Sequence, residues 1–135
     1  MPAFEDEFIE LIFEGLEEGV ASRLAHQVLG RSIDLPSADE GVVDVALARL
    51  EIAERTALGN AHVRVLRYGK DIYDVEINFL ARDAEGSLDA LIETLHEFAI
   101  RLADAHGVAS FYAGIDPAMD EDTRFFTGTE QGPYM

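Results

Sequence analysis

Ile72-Tyr73-Asp74-Val75-Glu76-Ile77-Asn78-Phe79-Leu80 alternates apolar and polar side chains from Tyr73 to Phe79. On an extended chain Tyr73, Val75, Ile77 and Phe79 share one side, and Asp74, Glu76 and Asn78 share the other. The segment therefore predicts a strand in a sheet with one face on a core and one face wet. Upstream, His62 to Arg67 predicts a partner strand and Tyr68-Gly69-Lys70-Asp71 the short connection of a hairpin. Downstream, Asp83-Ala84-Glu85-Gly86 closes the strand and Ser87 stands where a helix cap is needed. Leu88, Leu91, Ile92, Leu95, Phe98, Ala99 and Leu102 then recur at helical spacing until His106-Gly107. Val108 to Ala113 predicts a third, short strand. A strand-helix-strand crossover is right-handed, so the strands around Val75 and Phe111 are expected to run parallel, with the strand around Val65 between them.

The amino-terminal half is expected to be helical. From Phe4 to Leu29 the residues Phe8, Ile9, Ile12, Phe13, Leu16, Val20, Leu24 and Val28 recur every three or four positions, acids crowd the first half, and Gly30 supplies a stop. Gly15 and Gly19 weaken the middle and allow a bend or a break. Pro36-Ser37-Ala38-Asp39-Glu40 has the form of a capping box, predicting a second helix to about Leu58 with the stripe Val43, Ala46, Leu47, Leu50 and Ala53. A strand competes there, since Val43, Val45 and Leu47 also alternate, but the cap and the alanines favour helix. The expected fold is α+β, one domain over residues 1–135 in the order α-α-β-β-α-β, with a small mixed sheet of about three strands, helices packed on one face and an irregular tail from about Thr127.

Ten basic residues face 27 Asp and Glu, a formal charge of -17 on 135 residues. A soluble domain needs far less. Such a field excludes bare nucleic acid and anionic membrane surfaces as partners and points to a basic protein. A source with a high-salt cytoplasm gives the same acidity for a different reason. Hydrophobic residues make up 48% of the chain, too many for a disordered one. With no cysteine there is neither a disulfide framework, nor a thiolate metal site, nor a thiol nucleophile. The amino terminus lacks a basic segment ahead of an apolar run, and no apolar stretch approaches membrane-spanning length, so a cytoplasmic location is expected.

Catalytic signatures are missing. The chain has no glycine-rich phosphate loop, no His-Glu-x-x-His and no Gly-x-Ser-x-Gly, and no cofactor is expected. Glu93-Thr94-Leu95-His96 has the Glu-x-x-His step of di-iron helices but no second copy, so His96 is expected to be half-buried and hydrogen-bonded rather than a ligand. Asp116, Asp120, Glu121 and Asp122 lack the glycine turn and distal glutamate of a calcium loop, and no metal site is expected.

These four acids stand beside Tyr112, Met119, Arg124, Phe125 and Phe126, and acids next to aromatics are what a protein interface uses for steering and anchoring. The expected partner-binding residues are Asp116, Asp120, Glu121, Asp122, Tyr112, Phe125 and Phe126. Against this, Phe125 and Phe126 would also serve to close the end of the core. Three functional classes follow. The first is a non-enzymatic inhibitor or immunity protein whose carboxylates occupy the phosphate groove of a basic partner such as a nuclease toxin. The second is a small acidic secretion chaperone that holds an effector segment and works as a homodimer. The third is a small acid-base enzyme using His96 or His106 with a neighbouring carboxylate.

Overall fold

A computed structural model describes residues 6–85 and 88–133. In chain order they form β1 (Phe8–Leu16), α1 (Glu18–Leu29), β2 (Val42–Ala53), β3 (Thr56–Gly69), β4 (Ile72–Leu80), β5 (Ala84–Glu85), α2 (Leu88–His106), β6 (Phe111–Ile115), β7 (Arg124–Thr127) and β8 (Glu130–Gln131). All described strands belong to one antiparallel sheet in the order β2-β3-β4-β1-β6-β7-β8, with β5 added beside β3.

The expected three-stranded sheet and its α-α-β-β-α-β order are therefore wrong, in both size and sequence of elements. Among the described residues the first element is a strand, and the segment predicted as a second helix is β2 with the first residues of β3. The crossover through α2 does place β4 and β6 in the same direction, because each is antiparallel to β1. The strand between them is β1, not the one around Val65.

Two physical reasons explain the misread segments. β1 is covered on both faces: Ile9, Leu11 and Phe13 join the main core, while Ile12 packs with Tyr112 and Ala118 on the opposite side. A strand apolar on both sides loses its alternation and imitates a helix. Gly15, at a φ of 68°, then breaks the register with β4 between Phe13 and Leu16, and this bulge lets the chain turn into α1. In β2, Val43, Val45 and Leu47 face inward, but Leu50 and Ile52 do so further along, so the inward parity switches. The switch gives Leu47 and Leu50 a helical spacing of three on an extended chain. The supposed capping box is a turn, with the Gly41 N–H donating to the Ala38 carbonyl.

α1 and α2 pack together against one face of the sheet. Leu24, Ala25 and Val28 from α1 and Leu91, Leu95, Ala99 and Leu102 from α2 close over Leu11, Phe13, Val63, Val65, Val75, Ile77 and Phe79. α2 ends at His106, where its sequence predicts. Ser87, its expected cap, lies outside the described residues. The tail from Thr127 is not wholly irregular, since β8 pairs with β7 through Phe126 opposite Gln131.

Candidate functional site

The face of the sheet away from the helices carries the even-numbered residues of its central strands. Ile12 stands opposite both Glu76 and Tyr112, and Glu76 stands opposite Arg64, which in turn faces Asp44. Glu10 lies one step along, opposite Asn78 and Gly114. The alternation in β4 places Asp74, Glu76 and Asn78 here, as expected. The alternation in β1 adds Glu10 and Glu14, which belong to the segment expected to be helical. Reading β1 as a strand would have brought the two sets together.

This face is less wet than a bare sheet, because the segment after β6 folds across part of it. The Ala118 N–H donates to Glu10 Oε1 at 2.9 Å, and Arg124 donates from Nε to the Ala118 carbonyl at 2.9 Å. The Arg124 guanidinium lies 3.9 Å from the centroid of the Tyr112 ring. Thr123 donates its hydroxyl among the carbonyls of Ile115, Pro117 and Asp120 and ties the loop into a compact turn. Asp116, Asp120, Glu121 and Asp122 all remain exposed on its outer side. None of the four is ion-paired among the described residues, while arginines elsewhere hold Glu51, Glu85, Asp39 and Asp6.

The aromatic residues take a different position. Phe125 and Phe126 are 1% and 0% exposed and fill the end of the core, with Phe126 against Phe111. Tyr112 is buried beneath Arg124. These three rings support the loop from behind and are almost wholly buried. The exposed large apolar side chains nearby include Phe8, Met119 and Tyr68, none of which belongs to the expected set.

Burial shapes the chemistry of the carboxyls on this face. Asp74 and Glu76 are 9% and 7% exposed. Burial raises the pKa of Glu76, and neighbouring Glu10 adds to it, although Arg64, 3.6 Å away, pulls it back. Glu10 is also raised by burial, opposed by the Ala118 amide and reinforced by Asp116. Asp74 is raised by burial against the pull of the Gly15 N–H, which donates to its Oδ1 at 3.0 Å. Burial, followed by the fields of Asp74 and Glu76, pushes Tyr68 up to about 12. Burial and Glu14 raise Tyr112 as well. A cleft of about 750 Å³ opens where β1 ends, walled by Glu14, Asp74, Tyr68, Ser110, Tyr112 and Met119.

The histidines weighed for catalysis are elsewhere. His96 stacks on Phe126 with centroids 4.0 Å apart, and its Nε2 is 2.7 Å from the Gly128 carbonyl. It is hydrogen-bonded, as its position predicts, and buried rather than half-buried. His106 pairs with the Gln27 side chain at 2.6 Å. Among the described residues, no three His, Asp or Glu side chains converge as a metal site would require.

Residues 32–131, from the approach to β2 through β8, match the family model described as PABL017 Cdi1I immunity protein. The chain belongs to that family. Of the three functional classes read from the sequence, family membership bears out the immunity-protein role of the first. A chain from the crystal structure of the toxic C-terminal tip of CdiA from Pseudomonas aeruginosa in complex with immune protein has the same fold, with a TM-score of 0.74. It is 22% identical, and the alignment covers 96% of this chain and 99% of that one. No curated protein matches the sequence. No helix among the described residues of this Cdi1I-family chain is long and apolar enough to cross a membrane.

Proposed function

We propose that this Cdi1I-family protein is a non-enzymatic inhibitor that neutralises a toxin by binding it, and that the contact surface is the acidic loop Asp116–Asp122 with the adjoining helix-free face of the sheet. Family membership supports the role. The observation that carries the location is the lack of internal counter-ions for the loop acids among the described residues, since four exposed carboxylates on a turn held fast by Thr123 and Arg124 are left to meet the cations of another molecule. A surface of this sign suits a toxin with a basic face. Opposite fields speed the encounter, and buried apolar contacts slow release.

The test is simultaneous reversal of Asp116, Asp120, Glu121 and Asp122 to lysine. All four are exposed, but Asp120 Oδ1 also accepts from the Asp122 N–H, so a urea midpoint near the parent's is the check that the variant folds. It is expected to associate with the cognate toxin about 100-fold more slowly at low salt, the range that electrostatic steering spans. Cells carrying it would lose protection. Unchanged protection and unchanged association would remove the loop from the interface.

A further inference from the structure

We infer that the cleft at the end of β1 receives one arginine side chain of the toxin, with Glu14 and Asp74 as its carboxylate floor and Tyr68 as its aromatic wall. This deepens the toxin-binding reading and rests on it, adding a pocket and the residue type that fills it.

The cleft differs in charge from the rest of the sheet face. Its lining contains Glu14, Glu17 and Asp74 and no arginine, lysine or histidine. Elsewhere on this face Glu76 and Asp44 have cations, since Arg64 reaches both and His62 Nδ1 lies 3.0 Å from Asp44, while Glu10 is held by the Ala118 amide. Glu14 and Asp74 have no cation among the described residues. Their partners are neutral donors only. Ser110 Oγ donates to Glu14 at 2.7 Å and the Gly15 N–H donates to Asp74 at 3.0 Å. Asp74 is nine-tenths buried. A carboxylate withdrawn from water without a counter-ion is costly, and a cation delivered from outside would recover that cost.

The shape selects among cations. A guanidinium is planar, carries donors on two edges and stacks on aromatic rings, so it can address two carboxylates and a phenol at once. An ammonium is a single point and cannot span them as well. This protein already seats a guanidinium on a tyrosine, in the pairing of Arg124 with Tyr112. At the rim, Tyr68 and Met119 are 53% and 74% exposed and give the flanking residues of the toxin an apolar seat.

The probe is N-acetyl-L-arginine amide titrated into the whole protein, followed by the backbone amide signals of Gly15 and Ser110 in NMR spectra. N-acetyl-L-lysine amide is the control of equal charge. Saturable shifts at those two amides are expected with the arginine compound, and clearly weaker ones with the lysine compound. Glu14→Gln and Asp74→Asn should each weaken the arginine response about tenfold or more, as the loss of a charge-assisted hydrogen bond implies. Both substitutions keep an amide oxygen in place of the carboxylate, so the Ser110 hydroxyl and the Gly15 amide each retain an acceptor. Glu54→Gln, which removes the same charge at the turn after β2, should change nothing. Equal responses to both compounds, or shifts spread over the whole acidic surface, overturn the inference. So does a response that survives both cleft substitutions. A toxin-protection assay on the unmodified protein separates the two levels. Protection without arginine binding removes the cleft and leaves the inhibitor role, whereas failure to protect removes the inhibitor role itself.

Discussion

Gly114 sits where β6 passes β7 so closely that a β-carbon built on it would lie 2.5 Å from the Thr123 carbonyl oxygen and 2.8 Å from the Arg124 Cα. Both are backbone atoms and cannot swing aside. Gly114→Ala should therefore push β7 and the acidic turn away from the sheet, costing about 1–3 kcal/mol as overpacking does, read as a lower urea midpoint. The buried carboxyls set a second residue-scale expectation. Glu10, Asp74 and Glu76 have pKa values raised above their ordinary 4.5, 3.8 and 4.5, chiefly by burial. The charges around them are Arg64 on β3, Glu14 on β1 and Asp116 after β6. As pH rises, protons leave these groups in the unfolded chain first, so between the ordinary and the raised values the folded state holds more protons. Stability should accordingly fall as pH climbs from those ordinary values through the raised ones. Urea midpoints measured across that window check it, and a midpoint that rises throughout would contradict it.

α2 was legible from its sequence because it meets its surroundings on one side only. Leu91, Leu95, Ala99 and Leu102 face the core and Glu93, Glu97 and Asp104 face water, so the period survives intact. Leu95 is fully buried, and Leu95→Ala should cost about 2–5 kcal/mol, according to how far the cavity collapses. Equilibrium unfolding with an unchanged slope in urea would confirm a loss of packing. The β3–β4 hairpin was legible for the same reason, with one face of β4 apolar. β1 and β2 were not, since β1 is enclosed on both faces and β2 changes its inward parity midway. The acids of the loop could be picked out as a charge cluster. Glu10, Glu14 and Asp74 could be recognised as neighbours only once β1 was known to lie beside β4, since nothing local links residues 10–14 to residue 74.

At the scale of the whole molecule the charge of -17 acts twice. It repels itself within the fold and, on the proposed reading, would attract a basic partner, and salt screens both over about 10 Å at 0.1 M. Adding salt should raise the melting temperature and, in the same range, slow association with the toxin. A partner whose association rate ignores salt would argue against steering. Hydropathy and charge by themselves determined that the chain folds, that it carries α2 and the β3–β4 hairpin, and that its surface is strongly acidic, because these depend on composition and on residues near each other along the chain. The tertiary structure alone decided that β1 is the central strand between β4 and β6, that Phe125 and Phe126 are core, and that two uncompensated carboxylates meet in one cleft. Those outcomes depend on which strands pair, and pairing is fixed by the burial of distant faces against each other, which no local periodicity records.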